Sequence, residues 1–539
     1  MPRTPARVLA VGLALVAAPL AAQSTPPDNP LLRRIWTLGM DSSQAEPLAQ
    51  VLFDSIGPRL TGTDLQKAGN DWLVRTYRSW GIDARNERVG TWRGWRRGHS
   101  HIDLVAPRQR TLEGTMLGFS PGTRGKNLDA ATVILPRFTD STEFVKWLPQ
   151  ARGKFVLVAA PQPTCRPAEN WEKNAPADEK VRMDSLRAQV RREWAGPNVR
   201  GTGYSLALGT GELGLRLEQG GVAGVITSRP KDAWGTIEIF DTYNTRAPAV
   251  ALSCEDYGLV YRLTERNQGA KLRLNLESQL GGERDVFNTV ATIPGTEKPN
   301  EYVMLSAHFD SWDGSSGATD NGTGTIVMLE AMRILRQVLP HPKRTILVGH
   351  WTSEENGLVG SRAFSEDHPE VREGLMVLFN QDNGTGRIVR TGAAGLPDLG
   401  TRMAAWLSLV PEPFRSQVQL TNPGFPSGGG SDDASFACWG LPATSLGAHG
   451  WDYGNYTWHT NRDTYDKVVW EELRGNATLT AMLAYLASEE PTLTARERVN
   501  LAELAARAAR DTTSGPRRPV PTSWPECQAA PRSTKPRLR

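Results

Sequence analysis

Two imidazoles, His308 and His459, and four carboxylates, Asp320, Glu354, Glu355 and Asp382, are spread over the second half of this chain with no thiolate among them. Such a hard-to-borderline donor set suits zinc, with manganese or cobalt as replacements. Three metal-bound carboxylates bring about −3 against +4 for two zinc ions, which leaves a centre able to acidify a water. One zinc among the same groups would be overloaded with negative charge, so the arithmetic favours two ions, roughly 3.5–4 Å apart, sharing a carboxylate and a hydroxide. Asp320 lies in the glycine-flanked turn SGATDNG, where a tightly bent backbone lets one carboxylate bridge both ions. Glu354 and Glu355 are adjacent in an irregular segment, so their side chains diverge: one can bind metal while the other faces the water as general base. Asp310, two residues after His308, is placed to orient that imidazole.

These groups need a scaffold that gathers them. Residues 302–307, 345–351, 375–380 and 442–446 read as compact apolar strands, and residues 325–339 and 401–410 as helices, with another helix beginning within 357–364. The alternation predicts an α/β fold with a mixed, largely parallel sheet flanked by helices. His308, Glu354, Glu355, Asp382 and His459 each follow the carboxyl end of a strand, the edge where open α/β sheets bind ligands. Upstream, residues 63–80 form a helix with capping residues before it and Gly81 after it. Residues 83 to about 285 read as β-rich, with GKFVLVAAPQP, GVAGVITS and APAVALS as strands and one charged helix over 178–195.

The 62 basic and 58 acidic residues leave +4, but residues from 491 onward carry 10 Lys/Arg and 4 Asp/Glu, so the body is near −2. That distribution gives no electrostatic basis for nucleic-acid binding. Residues 1–22 combine Arg3 and Arg7 with an apolar stretch over 8–20 and small residues at Ala21 and Ala22. This pattern is an export signal cleaved near Ala22 and is too short to span a bilayer, so a secreted or periplasmic protein without stable membrane insertion is expected. Cys165, Cys254, Cys438 and Cys527 could form two disulfides in three full pairings, although Cys438, within SFACWG, reads most simply as a small buried residue.

The segments SAHFDSWDGSSGATDNGTG, WTSEENGLVGSRAF, FNQDNG, GGGSDDASF and YTWHTNRDTYD, together with FDSIGPRLTGT and WGIDARNERV nearer the front, resemble the co-catalytic dizinc aminopeptidases and, within them, the carboxypeptidase Q-like subgroup of secreted metallopeptidases. The resemblance runs over most of residues 40–490. It implies one zinc on His308 and Asp382, a second on Glu355 and His459, Asp320 bridging, Glu354 as base, and a cis peptide between Asp320 and Asn321. It also implies a protease-associated domain inserted at 111–285 between a first peptidase segment, 23–110, and the main segment, 286–490. A helix and basic, Pro-rich tail follow over 491–539, which Cys527 could pin to the body. The implied reaction is hydrolysis of dipeptides or short peptides at a free amino terminus, by a zinc-bridging hydroxide, in a chain expected to form a homodimer. Some relatives place an oxyanion-binding tyrosine where this chain has Trp458; Tyr453 or Tyr456 could substitute, and Ser431 and Asp432 match a loop near the site. Two other functions stay open: a dizinc hydrolase of capped or non-peptide amides, and a non-catalytic receptor-like protein, which would be expected to lack some of the ligands.

Overall fold

Thr63 caps helix α1 (Asp64–Ser79) by accepting from the Gln66 amide at 3.2 Å, and Gly81, at φ +71°, turns the chain out of it. The computed structural model describes residues 29–194, 196–206, 209–510 and 520–533. The expected export signal over 1–22, with its cleavage near Ala22, lies outside the described residues. After α1 the chain enters a long strand, β1 (Asp83–Ala106), whose antiparallel partner β2 (Lys271–Ile293) returns much later in sequence.

The site-bearing sheet follows β2. Strands β3 (Lys298–His308), β4 (Arg344–Trp351), β5 (Leu375–Asn380) and β6 (Ala443–Ser445) lie in the order β6-β5-β3-β4-β2, with parallel pairing from β6 to β4 and antiparallel pairing of β4 with β2. Side chains alternate between two buried layers, as the pleat requires. Val303 and Leu305 of β3 join Ile346 and Val348 of β4 under helices α2 (Thr323–Val338) and α4 (Trp470–Glu489). Met304, Leu347 and Trp351 point the other way, to Phe364 of helix α3 (Val359–Asp367) and to Phe436. Burial on both faces is why these strands read as unbroken apolar runs.

The region between β1 and β2 departs from the β-rich expectation. Its strands Leu128–Ile134, Phe155–Leu157, Gly224–Thr227 and Ala249–Leu252 pair in parallel succession, and helices Ser141–Ala151, Gly211–Gln219 and Cys254–Glu265 accompany the expected charged helix, found at Ala177–Trp194. It is a mixed α/β unit, whose short helices carry too few apolar turns to stand out against the strands around them. The expected boundary at 285 falls inside β2, which hydrogen-bonds to β4 at one end and to Leu128–Ile134 at the other. One sheet of twelve strands therefore runs through both halves among the described residues.

The cysteines pair as Cys165–Cys254 and Cys438–Cys527. Cys438 is thus a half-buried cross-link rather than an isolated core residue: it ties the segment 520–533 to the short helix after Asp433. Trp524 of that segment packs on the large core, and Arg532 pairs with Glu366 and Asp367 of α3. No helix among the described residues is long and apolar enough to cross a membrane.

Candidate metal centre

His308 is the last residue of β3, and Asp382 follows β5 by two residues, so neighbouring parallel strands deliver them side by side: His308 Nε2 lies 3.3 Å from Asp382 Oδ1. Between β3 and α2 the chain passes through the turn that carries Asp320. Gly317, at φ +60°, makes that turn possible, since a Cβ there would lie 2.3 Å from the Ser311 side chain. The peptide between Asp320 and Asn321 is cis, as the resemblance implies. Asp320 presents its two oxygens in different directions, Oδ1 at 3.4 Å from His308 Nε2 and Oδ2 at 3.1 Å from His459 Nε2. Glu355 completes the second cluster, with Oε2 2.9 Å from His459 Nε2. His459 sits at φ +60° and Ser353, just before the Glu pair, at φ +57°, two left-handed residues at the site's loops.

His308, Asp320 and Asp382 form one group whose donor atoms converge within metal-binding reach, and Asp320, Glu355 and His459 form a second. The donors fit a pair of cations. Nδ1 of His308 donates to the backbone carbonyl of Asp310 at 3.0 Å, which leaves Nε2 to face two carboxylates. Each imidazole edge can tolerate that setting only with positive charge between, and Glu355 Oε1 is buried with no hydrogen-bond partner. In the protein alone, protons take up this role. Burial disfavours charge on both imidazoles, yet Asp382 and Glu354 draw His308 well above its ordinary value, and Glu355 and Asp320 draw His459 up to about 10. Burial raises Glu355 to about 7, while the two imidazoles outweigh burial at Asp320 and hold it far below the carboxylate range. Burial also pushes Glu354 well up, helped by Asp382, Glu355 and Asp432 against the pull of His308.

Asp310 does more than its sequence expectation. Its backbone carbonyl accepts from His308 Nδ1 at 3.0 Å, with its carboxylate 3.8 Å from the same nitrogen; that carboxylate also accepts from the amides of Glu354 (3.0 Å) and Glu355 (3.4 Å) and from the Thr61 hydroxyl (3.1 Å). It thereby fixes the loop that presents the Glu pair. Asp313, from the same motif, pairs with Arg97 of β1. Two supports were not singled out in the sequence. Asp463 accepts from the amides of Thr319 (2.7 Å) and Asp320 (3.0 Å), and Arg59, fully buried, donates to the carbonyls of Phe309, Gly57, Ser316 and Gly317 at 2.8–3.0 Å. Their partners are backbone groups, which leave no trace in residue type; their only signal was lying within quoted motifs.

The two candidate tyrosines separate. Tyr453 is half-buried with its ring beside Gly384, two residues after Asp382, and burial together with Asp320, Asp382, Asp463 and Glu355 keeps its hydroxyl protonated far above the usual range. Tyr456 is exposed and its nearest charges are Asp452, Glu169 and Asp232, so it does not join the cluster. Ser431 accepts from Asn380 Nδ2 at 2.8 Å beside the end of β5. Asp432 is fully buried, and burial raises its carboxyl to about 8 near His308 and Asp382. The inserted region reaches this centre too: Ile239 lines a narrow pocket of about 10 Å³ with Asp320, Glu355, His459 and Asp463.

Residues 288–484 match the model of peptidase family M28, and with that match the fold and the paired clusters define a zinc metallopeptidase. Carboxypeptidase Q from Bos taurus is 24% identical over 441 residues, 81% of this chain and 84% of the relative; the Xenopus laevis protein is 24% identical over 427 residues, 78% and 81%. A crystal structure of a peptidase M28 precursor from Shewanella amazonensis superposes with TM-score 0.63 at 24% identity, covering 86% of this chain and 97% of the other. The zinc aminopeptidase of Bacillus subtilis gives 0.53 at 19%, covering 82% and 93%. The chain carries a peptidase family M28 domain and is a homologue of carboxypeptidase Q.

Proposed function

We propose that the protein is an exported dizinc exopeptidase that releases residues from dipeptides or short peptides with a free amino terminus. The observation that carries this reading is the pair of clusters sharing Asp320, each with one imidazole facing two carboxylates. In this reading His308 and Asp382 hold one zinc, Glu355 and His459 the other, and Asp320 both. Zinc held there supplies Lewis acidity to a water and to a peptide carbonyl. Glu354, kept close by the Asp310 carboxylate at its amide, takes the proton from the attacking water and hands it to the departing amine. The Tyr453 hydroxyl, kept protonated by burial and the surrounding carboxylates, would donate to the oxygen on which charge develops. Carboxylates of the site would hold the substrate ammonium, which favours cleavage from a free amino terminus. We read the α/β unit inserted between β1 and β2 as a protease-associated domain.

The test is hydrolysis by the purified, zinc-supplemented protein of free dipeptides, N-acylated dipeptides and amino-acid anilides. Cleavage of the free dipeptides and anilides is expected. Activity confined to N-acylated substrates would replace the exopeptidase with an amidohydrolase of capped substrates.

A further inference from the structure

The two imidazoles of the centre are held in different ways. His308 Nδ1 has the backbone carbonyl of Asp310 at 3.0 Å, so a hydrogen bond fixes which nitrogen faces the carboxylates. His459 has no such anchor. Its Nδ1 is buried without a hydrogen-bond partner among the described residues, although its Nε2 meets Asp320 at 3.1 Å and Glu355 at 2.9 Å. A metal-binding imidazole ordinarily donates its second N–H to an oxygen, and that bond sets the orientation of the ring. At His459 the orientation must be set by packing.

Three aromatic rings supply it. Trp458 stacks on the imidazole at 3.8 Å between centroids, Phe240 meets it edge-on at 5.1 Å and 89°, and Trp312 lies at 6.1 Å. Phe240 also packs against Trp312 at 5.3 Å and Trp458 at 6.5 Å, so it joins all the rings of the group. It comes from the inserted region, outside residues 288–484, and its loop is fastened to the chain that carries His459. The Ile239 amide donates to the His459 carbonyl at 2.7 Å, the Ile237 amide donates to the Asn461 side chain at 2.8 Å, and Glu238 forms an antiparallel bridge with Thr460. These bonds hold the peptide of a residue in the left-handed region, at φ +60°, while Phe240 borders its ring. Phe240 is itself buried in the core of the inserted unit with Ile226 and Val250, so that core, rather than the imidazole, fixes where the ring stands.

From this arrangement we propose that Phe240 is a positioning residue for the metal held by Glu355 and His459: ring packing from the inserted region, in place of a hydrogen bond at Nδ1, keeps His459 Nε2 directed at the ion. This inference rests on the dizinc reading above. It makes the insertion part of the apparatus that holds metal, and it sets the two metal positions apart. The His308 side, whose imidazole is anchored by the carbonyl two residues further on, is indifferent to Phe240.

The experiment compares wild type with Phe240→Leu, which removes the ring but keeps an apolar side chain, and with Val250→Ala, which opens the same core from the strand Ala249–Leu252. Zinc affinity is read by competition with a chromophoric chelator. Cadmium NMR of the cadmium-loaded protein tells the two positions apart, the resonance of the His459 side being the one lost in His459→Ala. In Phe240→Leu one zinc equivalent should bind about tenfold more weakly with the other unchanged, and only the cadmium resonance of the His459 side should shift or broaden. Val250→Ala should leave both affinities and both resonances as in wild type. Equal weakening of the two equivalents, weakening in Val250→Ala as large as in Phe240→Leu, or wild-type affinities in Phe240→Leu would overturn the assignment. Wild type that binds fewer than two ions would instead overturn the dizinc reading. A single ion lost in His459→Ala would then still report on Phe240, and a single ion retained there, or none bound at all, would take the assignment down as well.

Discussion

Asp320 faces two imidazoles with opposite oxygens, an arrangement neither Asn nor Glu could copy without losing charge or register. Asp320→Ala should therefore reduce bound zinc from near two equivalents to well below one by elemental analysis, with circular dichroism unchanged. Glu354→Gln should keep the metal and lower kcat by about 10²–10⁴, the usual worth of a positioned general base; loss of metal in that variant would make Glu354 a ligand instead. Tyr453→Phe should lower kcat by about ten- to a hundredfold with KM little changed, whereas Tyr456→Phe should be neutral. His308, Glu355, Asp382 and His459 could be picked out in the sequence because each follows the carboxyl end of a strand, and Asp320 because it lies in a glycine-flanked turn between them. The role of the Asp310 carboxylate was not legible, since what it binds is the amide of a loop whose course only the fold determines.

At the scale of elements, the turn from β3 to α2 is held from beneath by Arg59, whose donors satisfy four carbonyls in a buried setting. Arg59→Met should cost about 3–5 kcal/mol in urea unfolding, because those carbonyls would be left without partners. Gly317→Ala should be damaging too: the left-handed backbone and the overlap with Ser311 require the turn to move, and zinc affinity should fall with it. Strands β3 to β6 and helix α2 were readable because buried parallel strands and a fully packed helix write long apolar runs. The helices Ser141–Ala151, Gly211–Gln219 and Cys254–Glu265 were not, because they are short and lie among strands of similar composition. Nor could spacing rank the cysteine pairings, which depend on how the tail folds back across α3.

Across the whole molecule, each disulfide joins residues 89 apart in sequence, and removing either should lower stability by about 2–5 kcal/mol. The two losses should differ in character. Cys438→Ser should free the 520–533 segment to limited proteolysis near Trp524, while Cys165→Ser should leave that segment protected; equal protection in both would mean the ion pairs of Arg532 suffice to hold it.

The β1–β2 ribbon pairs from Asp83 with Thr292 to Ala106 with Lys271 through four register shifts, and β2 enters the pairing of both halves. Mechanically this is a shared girder rather than a pivot: the inserted unit cannot swing clear of the centre without unzipping the backbone on which both lobes are built. Small-angle scattering curves with and without a bound peptide should then superimpose.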